Sequence, residues 1–172
     1  AGGTINGSIF GGAHNTGTVY GSTNLNINSG NINSDIYVGG EGGYTNSSNP
    51  GTFISQNTNV TIGTSSTSPN ISGDIYGGSA YGTVNATSIG ASSNSNTTTV
   101  SVLNGNITGS LYGGSKGSTS FTPYIKGNIN VNINGGVTSN VYGGCNQAGN
   151  LSGVSTINLN NGIVGNVYGG GK

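Results

Sequence analysis

The sequence predicts an all-β chain wound into a parallel β-helix, or β-solenoid, of about five to six coils of ~26 residues with loop insertions. Two observations carry this reading. First, an eight-residue phrase recurs at 5–12, 32–39, 71–78, 107–114, 137–144 and 163–170. It reads apolar, small polar (once Val164), Gly or Ser, Ser/Asp/Asn, apolar, aromatic, Gly (once Val38), Gly. Second, the stretches between phrases carry a strict apolar–polar alternation, the period of a half-buried strand. No segment of ten or more residues combines helical periodicity with caps.

The alternating stretches are Asn24-Leu25-Asn26-Ile27-Asn28, Asn59-Val60-Thr61-Ile62, Thr99-Val100-Ser101-Val102, Asn130-Val131-Asn132-Ile133-Asn134 and Thr156-Ile157-Asn158-Leu159-Asn160. Their apolar side chains are expected to point inward, and Asn, Thr and Ser outward. A shorter third strand is expected at Thr18-Val19-Tyr20, at Thr83-Val84 and around residues 151–154. Gly, Asn and Ser fill the corners, where positive φ is needed. Three short strands and three corners close one coil, and successive coils pair in register about 4.8 Å apart. Six phrase strands then make a rod roughly 25–30 Å tall. A sandwich of hairpins would not return the same residue type to the same position once per coil. A solenoid requires it, because equivalent positions lie above one another.

This geometry predicts columns. The apolar column is Ile9, Ile36, Ile75, Leu111, Val141 and Val167. A column of small residues, expected inside, is Gly7, Ser34, Gly73, Gly109, Ser139 and Gly165. The aromatic column is Phe10, Tyr37, Tyr76, Tyr112, Tyr142 and Tyr168, spaced 27, 39, 36, 30 and 26 residues apart. Strict alternation puts these rings outside, whereas a bend at the following Gly-Gly tucks them into the corner. They read as a structural aromatic ladder, with a sugar-stacking platform as the other reading.

Coils longer than 26 residues owe their length to insertions at about 40–57, 64–70, 85–97 and 115–127. Pro50, Pro69 and Pro123 all fall there, where a missing N–H breaks no ladder. Tyr44, Phe53, Phe121 and Tyr124 fall there too, and with Tyr81, just ahead of the third insertion, they are candidates for ligand or adhesion loops.

The chain has 172 residues, the length of a single domain spanning 1–172. Charged residues make up 3%, and the net charge is zero. Such neutrality gives no electrostatic footprint for nucleic acid. No apolar run approaches ~20 residues, so membrane insertion is not expected. Disorder is rejected, because nine Tyr, three Phe and many β-branched residues stand at regular positions. The chain begins at Ala1 without Met and reads as a mature or excised piece.

Reactive groups are few. The acids are Asp35, Glu41 and Asp74, and there is no arginine. Polysaccharide-cleaving chemistry needs clustered carboxylates, so no catalytic residue, cofactor or metal site is assigned and no enzyme is expected. Asp35 and Asp74 share one repeat position, which makes them neighbours on adjacent coils. Two such carboxylates either share a cation or both face water and repel weakly. His14 reads as a solvated turn residue without partner ligands. Cys145 follows a Gly-Gly pair where other repeats have Ala13, Ser79, Ser115 and Gly171, and reads as a small buried residue. The outward row Asn26, Thr61, Ser101, Asn132 and Asn158 lacks the Thr register of an ice-binding face and reads as a solvated face or a stacked amide ladder.

The Ile/Val-x-Gly-Asn-Val-Tyr-Gly-Gly phrase with its Asn/Thr-rich alternation resembles bacterial cell-surface β-helix repeat proteins of the adhesin and fibre type. That resemblance implies an extracellular, non-enzymatic, structural or adhesive role. First and last phrases look like interior ones, so both ends expose pairing edges that favour head-to-tail self-association into a filament. The expected function is a subunit of a surface fibre or an adhesin stalk. The alternatives are a segment of a longer adhesin, or a carbohydrate-binding module holding surface glycans on the loop aromatics. Ice binding ranks below both.

Overall fold

The structure, a computed structural model, describes residues 2–46 and 51–172. Pro50 lies outside the described residues. The described chain is strand and turn without helix, and its strands pair in parallel into a β-solenoid. Each coil has three faces. The phrase face carries Thr4–Ile5 with Ile9–Phe10, Asn31–Ile32 with Ile36–Tyr37, Asn70–Ile71 with Ile75–Tyr76, then Asn106–Tyr112. It continues in the second halves of Asn128–Tyr142 and Ser155–Tyr168. The alternating face carries Thr23–Ile27, Thr58–Ile62, Thr97–Val102 and the first halves of those two long strands. The short-strand face carries Gly17–Val19, Thr52–Ile54, Thr83–Val84, Tyr124–Ile125 and Asn150–Leu151.

Register follows the repeat. Ile9 pairs with Ile36, Ile36 with Ile75, Ile75 with Leu111, Leu111 with Val141 and Val141 with Val167. On the alternating face Leu25, Val60, Val100, Val131 and Ile157 form one column. Ile54, Val84 and Ile125 form another on the short-strand face. In the middle coils these side chains meet in one interior cluster, with exposures of 0–1%. Burying each stabilises the fold by about 1.5–3 kcal/mol. Polar neighbours on the alternating strands face out, since a β-strand turns successive side chains to opposite sides.

Four sequence expectations change. Two short-face strands, Thr52–Ile54 and Tyr124–Ile125, lie inside stretches read as insertions. Phe53 is therefore a buried strand residue rather than a loop aromatic, and Tyr124 is a strand residue beside Asn150. Pro69 and Pro123 each stand immediately before a strand, where no ladder N–H is lost. Residues 151–154 also differ: the strand is Asn150–Leu151, and Val154 is exposed.

The small column is not interior. Gly7, Ser139 and Gly165 are exposed, and Ser34, Gly73 and Gly109 are partly so. A Cβ on Gly73 would collide with the Ser34 carbonyl, and one on Gly109 with the Gly73 carbonyl. Smallness there serves close coil-to-coil backbone approach rather than a filled core.

The first apolar position of the phrase also slips. Ile5, Ile32, Ile71 and Ile107 stack, but Ile107 pairs with Thr138 and not with Val137. The register shift between Ile107 and Ser110 matches four residues on one coil to three on the next. Thr138 and Val164 consequently turn inward, while Val137 and Ile163 are 42% and 68% exposed. Among the described residues, the buried Thr138 Oγ1 has no hydrogen-bond partner.

Candidate functional site

The aromatic column stacks. Phe10, Tyr37, Tyr76, Tyr112, Tyr142 and Tyr168 form a continuous pile with centroids 4.8–5.0 Å apart and planes within 8°. The rings alternate outward from the apolar core, as Ile36 points in and Tyr37 out. The corner residues Ala80 and Tyr81 pack against the pile. Tyr76 and Tyr112 are 0% and 1% exposed, so their faces are occupied by neighbouring rings. Phe10 and Tyr168 terminate the pile, and Tyr168 is 47% exposed.

Polar groups line the edge of the pile. Asp35 Oδ1 accepts the Asp74 N–H at 2.9 Å, and Asp74 Oδ1 accepts the Ser110 N–H at 2.7 Å. Their other oxygens accept the hydroxyls of Tyr37 (2.9 Å) and Tyr76 (3.1 Å). Each carboxylate thus clamps its own coil's ring and the next coil's backbone. The pair does not simply face water and repel. Lys116 Nζ lies 3.4 Å from Asp35 Oδ2 and about 6 Å from the centroids of Tyr37 and Tyr76. Asn146 Nδ2 donates to the Tyr76 hydroxyl at 2.9 Å. Burial first, and then the neighbouring carboxylates, pushes the Tyr37 and Tyr76 phenols far above their ordinary range.

A second column runs under the corners. Gly40 N–H donates to Ser79 Oγ (3.2 Å), Ser79 N–H to Ser115 Oγ (3.0 Å) and Ser115 N–H to Cys145 Sγ (3.4 Å). Cys145 therefore stands in for a serine that accepts a backbone hydrogen bond. Burial pushes its thiol up to about 11, so at neutral pH it is an unreactive thiol rather than a thiolate.

The outward asparagines form amide ladders. Asn33, Asn59, Asn70, Asn158, Asn160 and Asn166 donate through Nδ2 to Asn6, Asn24, Asn31, Asn132, Asn134 and Asn140 respectively, at 2.7–3.0 Å. Every one of these bonds points from the later coil to the earlier.

The five loop candidates do not gather into one surface. Tyr44 is 45% exposed, Phe53 is buried, and Tyr124 lies under Lys126 Nζ at 4.8 Å. Only Tyr81 and Phe121 meet, with centroids 5.4 Å apart and planes tilted by 42°. Beside them the largely exposed His14 contacts Glu41 Oε2 through Nδ1 at 2.7 Å. The sequence hid this pair because its two members are 27 residues apart. The phrase period was the signal that could have found it, since both residues follow the Gly-Gly corner.

Among the described residues no three His, Cys, Asp or Glu side chains gather into a metal-binding group. No helix there is long and apolar enough to cross a membrane. No protein-family model matches the chain, and no curated protein or solved structure matches it significantly. Geometry and chemistry define the class as a β-solenoid whose outer rows are cohesive ladders.

Proposed function

We propose that the chain is a structural element of an extracellular surface fibre or adhesin stalk, lengthened by adding further coils of its own kind end to end. The observation that carries this reading is the state of the two terminal coils. Interior residues equivalent to Val167 are 0% exposed, whereas Val167 is 43% and Leu159 52% exposed. At the other end Ile5 is 43% exposed. Each end presents a cross-section of the core and a strand edge that templates further pairing. The amide bonds run along the rod axis, each later asparagine donating to the earlier coil, so the outward rows are polar along that axis. Extracellular placement rests on the resemblance to cell-surface repeat proteins.

Sedimentation of the purified chain over a wide concentration range, with negative-stain microscopy, tests the copy-to-copy joint. Rods of constant width that lengthen with concentration support it. A monomer at every concentration refutes it.

The second reading is a segment of a longer adhesin, in which the same chain supplies the next coil. The same end geometry favours it. A longer fragment of such a chain would then show identical width and one continuous ring pile.

A further inference from the structure

The rod carries a lateral feature that the stalk reading leaves unused. After each Gly-Gly the chain turns a corner, and four successive coils contribute to one side of that corner stack. The first supplies Asn15, the second Glu41, Gly42 and Gly43, the third Tyr81. The fourth sends a loop back across two coils so that Phe121 lies against Tyr81 and Gly43. Together they line a cleft of about 410 Å³. We propose that this cleft is a binding site for a neutral sugar ring.

Its walls are preorganised. Phe121 is fixed by a closed turn: Ser118 Oγ accepts the N–H groups of Ser120 (3.2 Å) and Phe121 (3.1 Å), and Ser118 N–H donates to the Phe121 carbonyl. The Glu41 backbone donates to Ala13, and the Tyr81 backbone to Lys116, tying both to neighbouring coils. A side chain on Gly43 would collide with the Phe121 ring, so the floor must stay bare.

Tyr81 holds φ +71°, a left-handed conformation that bulky residues rarely adopt. Of the equivalent corner residues, Asn15, Gly42 and Gln147 are also at positive φ and Gly117 is not. Glycine and asparagine adopt this conformation cheaply, and tyrosine does not. The corner imposes this conformation, and at the cleft wall it is kept with an aromatic side chain.

The chemistry of the lining selects the occupant. A sugar ring has an apolar C–H face and a rim of hydroxyls. The tilted Tyr81–Phe121 pair offers apolar surface to the former. The Glu41 carboxylate and Asn15 amide offer acceptors and a donor to the latter. A purely apolar ligand would leave those polar groups unpaired, at a cost. An anion would meet Glu41. A cation would have to share that carboxylate with His14, which contacts Oε2 at 2.7 Å. A polyhydroxylated neutral ring satisfies all of them.

The test is a titration of the purified chain with the methyl glycosides of glucose, galactose, mannose and N-acetylglucosamine, read by NMR at the Tyr81 and Phe121 rings. Choline serves as the cation probe. At least one glycoside is expected to shift both rings with Kd of about 1–10 mM, a value suited to a single sugar in an open cleft. Glu41→Gln, which keeps the shape, is expected to weaken binding roughly tenfold, equal to about 1.4 kcal/mol. Tyr20→Ala, on a distant exposed ring, is expected to leave it unchanged. Unmoved resonances with all four glycosides overturn the proposal. So does saturable binding of choline alone, or glycoside binding indifferent to both Glu41→Gln and Phe121→Leu. The outcome is independent of filament growth, so the stalk reading and the sugar site fail separately.

Discussion

Replacing Tyr76 by alanine should cost far more than the same change at Tyr168, although both occupy the same position of the same phrase. Tyr76 is fully buried and stacks on both faces, with Tyr37 at 4.8 Å and Tyr112 at 4.9 Å. Its hydroxyl donates to Asp74 and accepts from Asn146. Tyr76→Ala removes two ring pairs worth about 0.5–1.5 kcal/mol each and leaves a cavity, for a total near 4 kcal/mol. Tyr168 has one stacking partner and is 47% exposed, so Tyr168→Ala should cost about 1 kcal/mol. Urea unfolding followed by circular dichroism measures the difference. With a slope near 2 kcal/mol/M, ~3 kcal/mol separates the midpoints by about 1.5 M. Tyr76→Phe keeps the pile and loses only the hydroxyl bonds, so it should fall between, at about 1–2 kcal/mol. Midpoints for the two alanine variants within about 0.3 M of each other would refute the claim that buried ring stacking holds the coils together.

Other outcomes follow from single residues. Thr138→Val should stabilise by about 1–2 kcal/mol, since it removes the unpartnered buried hydroxyl between apolar Ile107 and Val164; a raised denaturation midpoint checks this. Gly109→Ala should destabilise strongly, because its Cβ meets the Gly73 carbonyl, whereas Gly90→Ala, in open space, should not; thermal melts compare them. Cys145→Ser should cost less than about 1 kcal/mol, as serine already fills that column at Ser79 and Ser115. The wild-type thiol should resist Ellman's reagent at neutral pH until the chain unfolds. Stability should also fall with alkali: the Cys145 thiol is raised from 9.0 to about 11, so the unfolded chain ionises first. That contribution is whole below pH 9.0 and lost as pH climbs through about 11. The raised Tyr37 and Tyr76 phenols act in the same direction. Phenolate absorbance should show them titrating only with unfolding.

Columns of the interior were legible in the sequence because side-chain direction alternates with period two and the coil returns each position to the same place. Ile36, Ile75 and Leu111 could be aligned from the phrase alone. The short strands Thr52–Ile54 and Tyr124–Ile125 could not, since two or three residues carry no measurable alternation and flanking loops vary in length. Val137 misled for a different reason. Its four-residue distance from Val141 copies that between Ile107 and Leu111, but the backbone shortens by one residue and hands the inward place to Thr138. At the flank, Tyr81 and Phe121 were identifiable as loop aromatics, while their meeting depends on a loop folding back over two coils. The clamps made by Asp35 and Asp74 were half visible: stacking followed from spacing, but the backbone acceptor role needed the geometry.

The parallel ladders also fix how such a rod would yield under load. Each coil adds only about 4.8 Å of height yet stores a full turn of chain. Spacings of 26 to 39 residues correspond to roughly 90–130 Å once a turn is pulled straight. Tension on an end detaches the outermost turn first, because it has a neighbour on one side alone. A tethered rod of this design would pay out line turn by turn, and its inner turns would stay wound while the outer ones absorbed the pull.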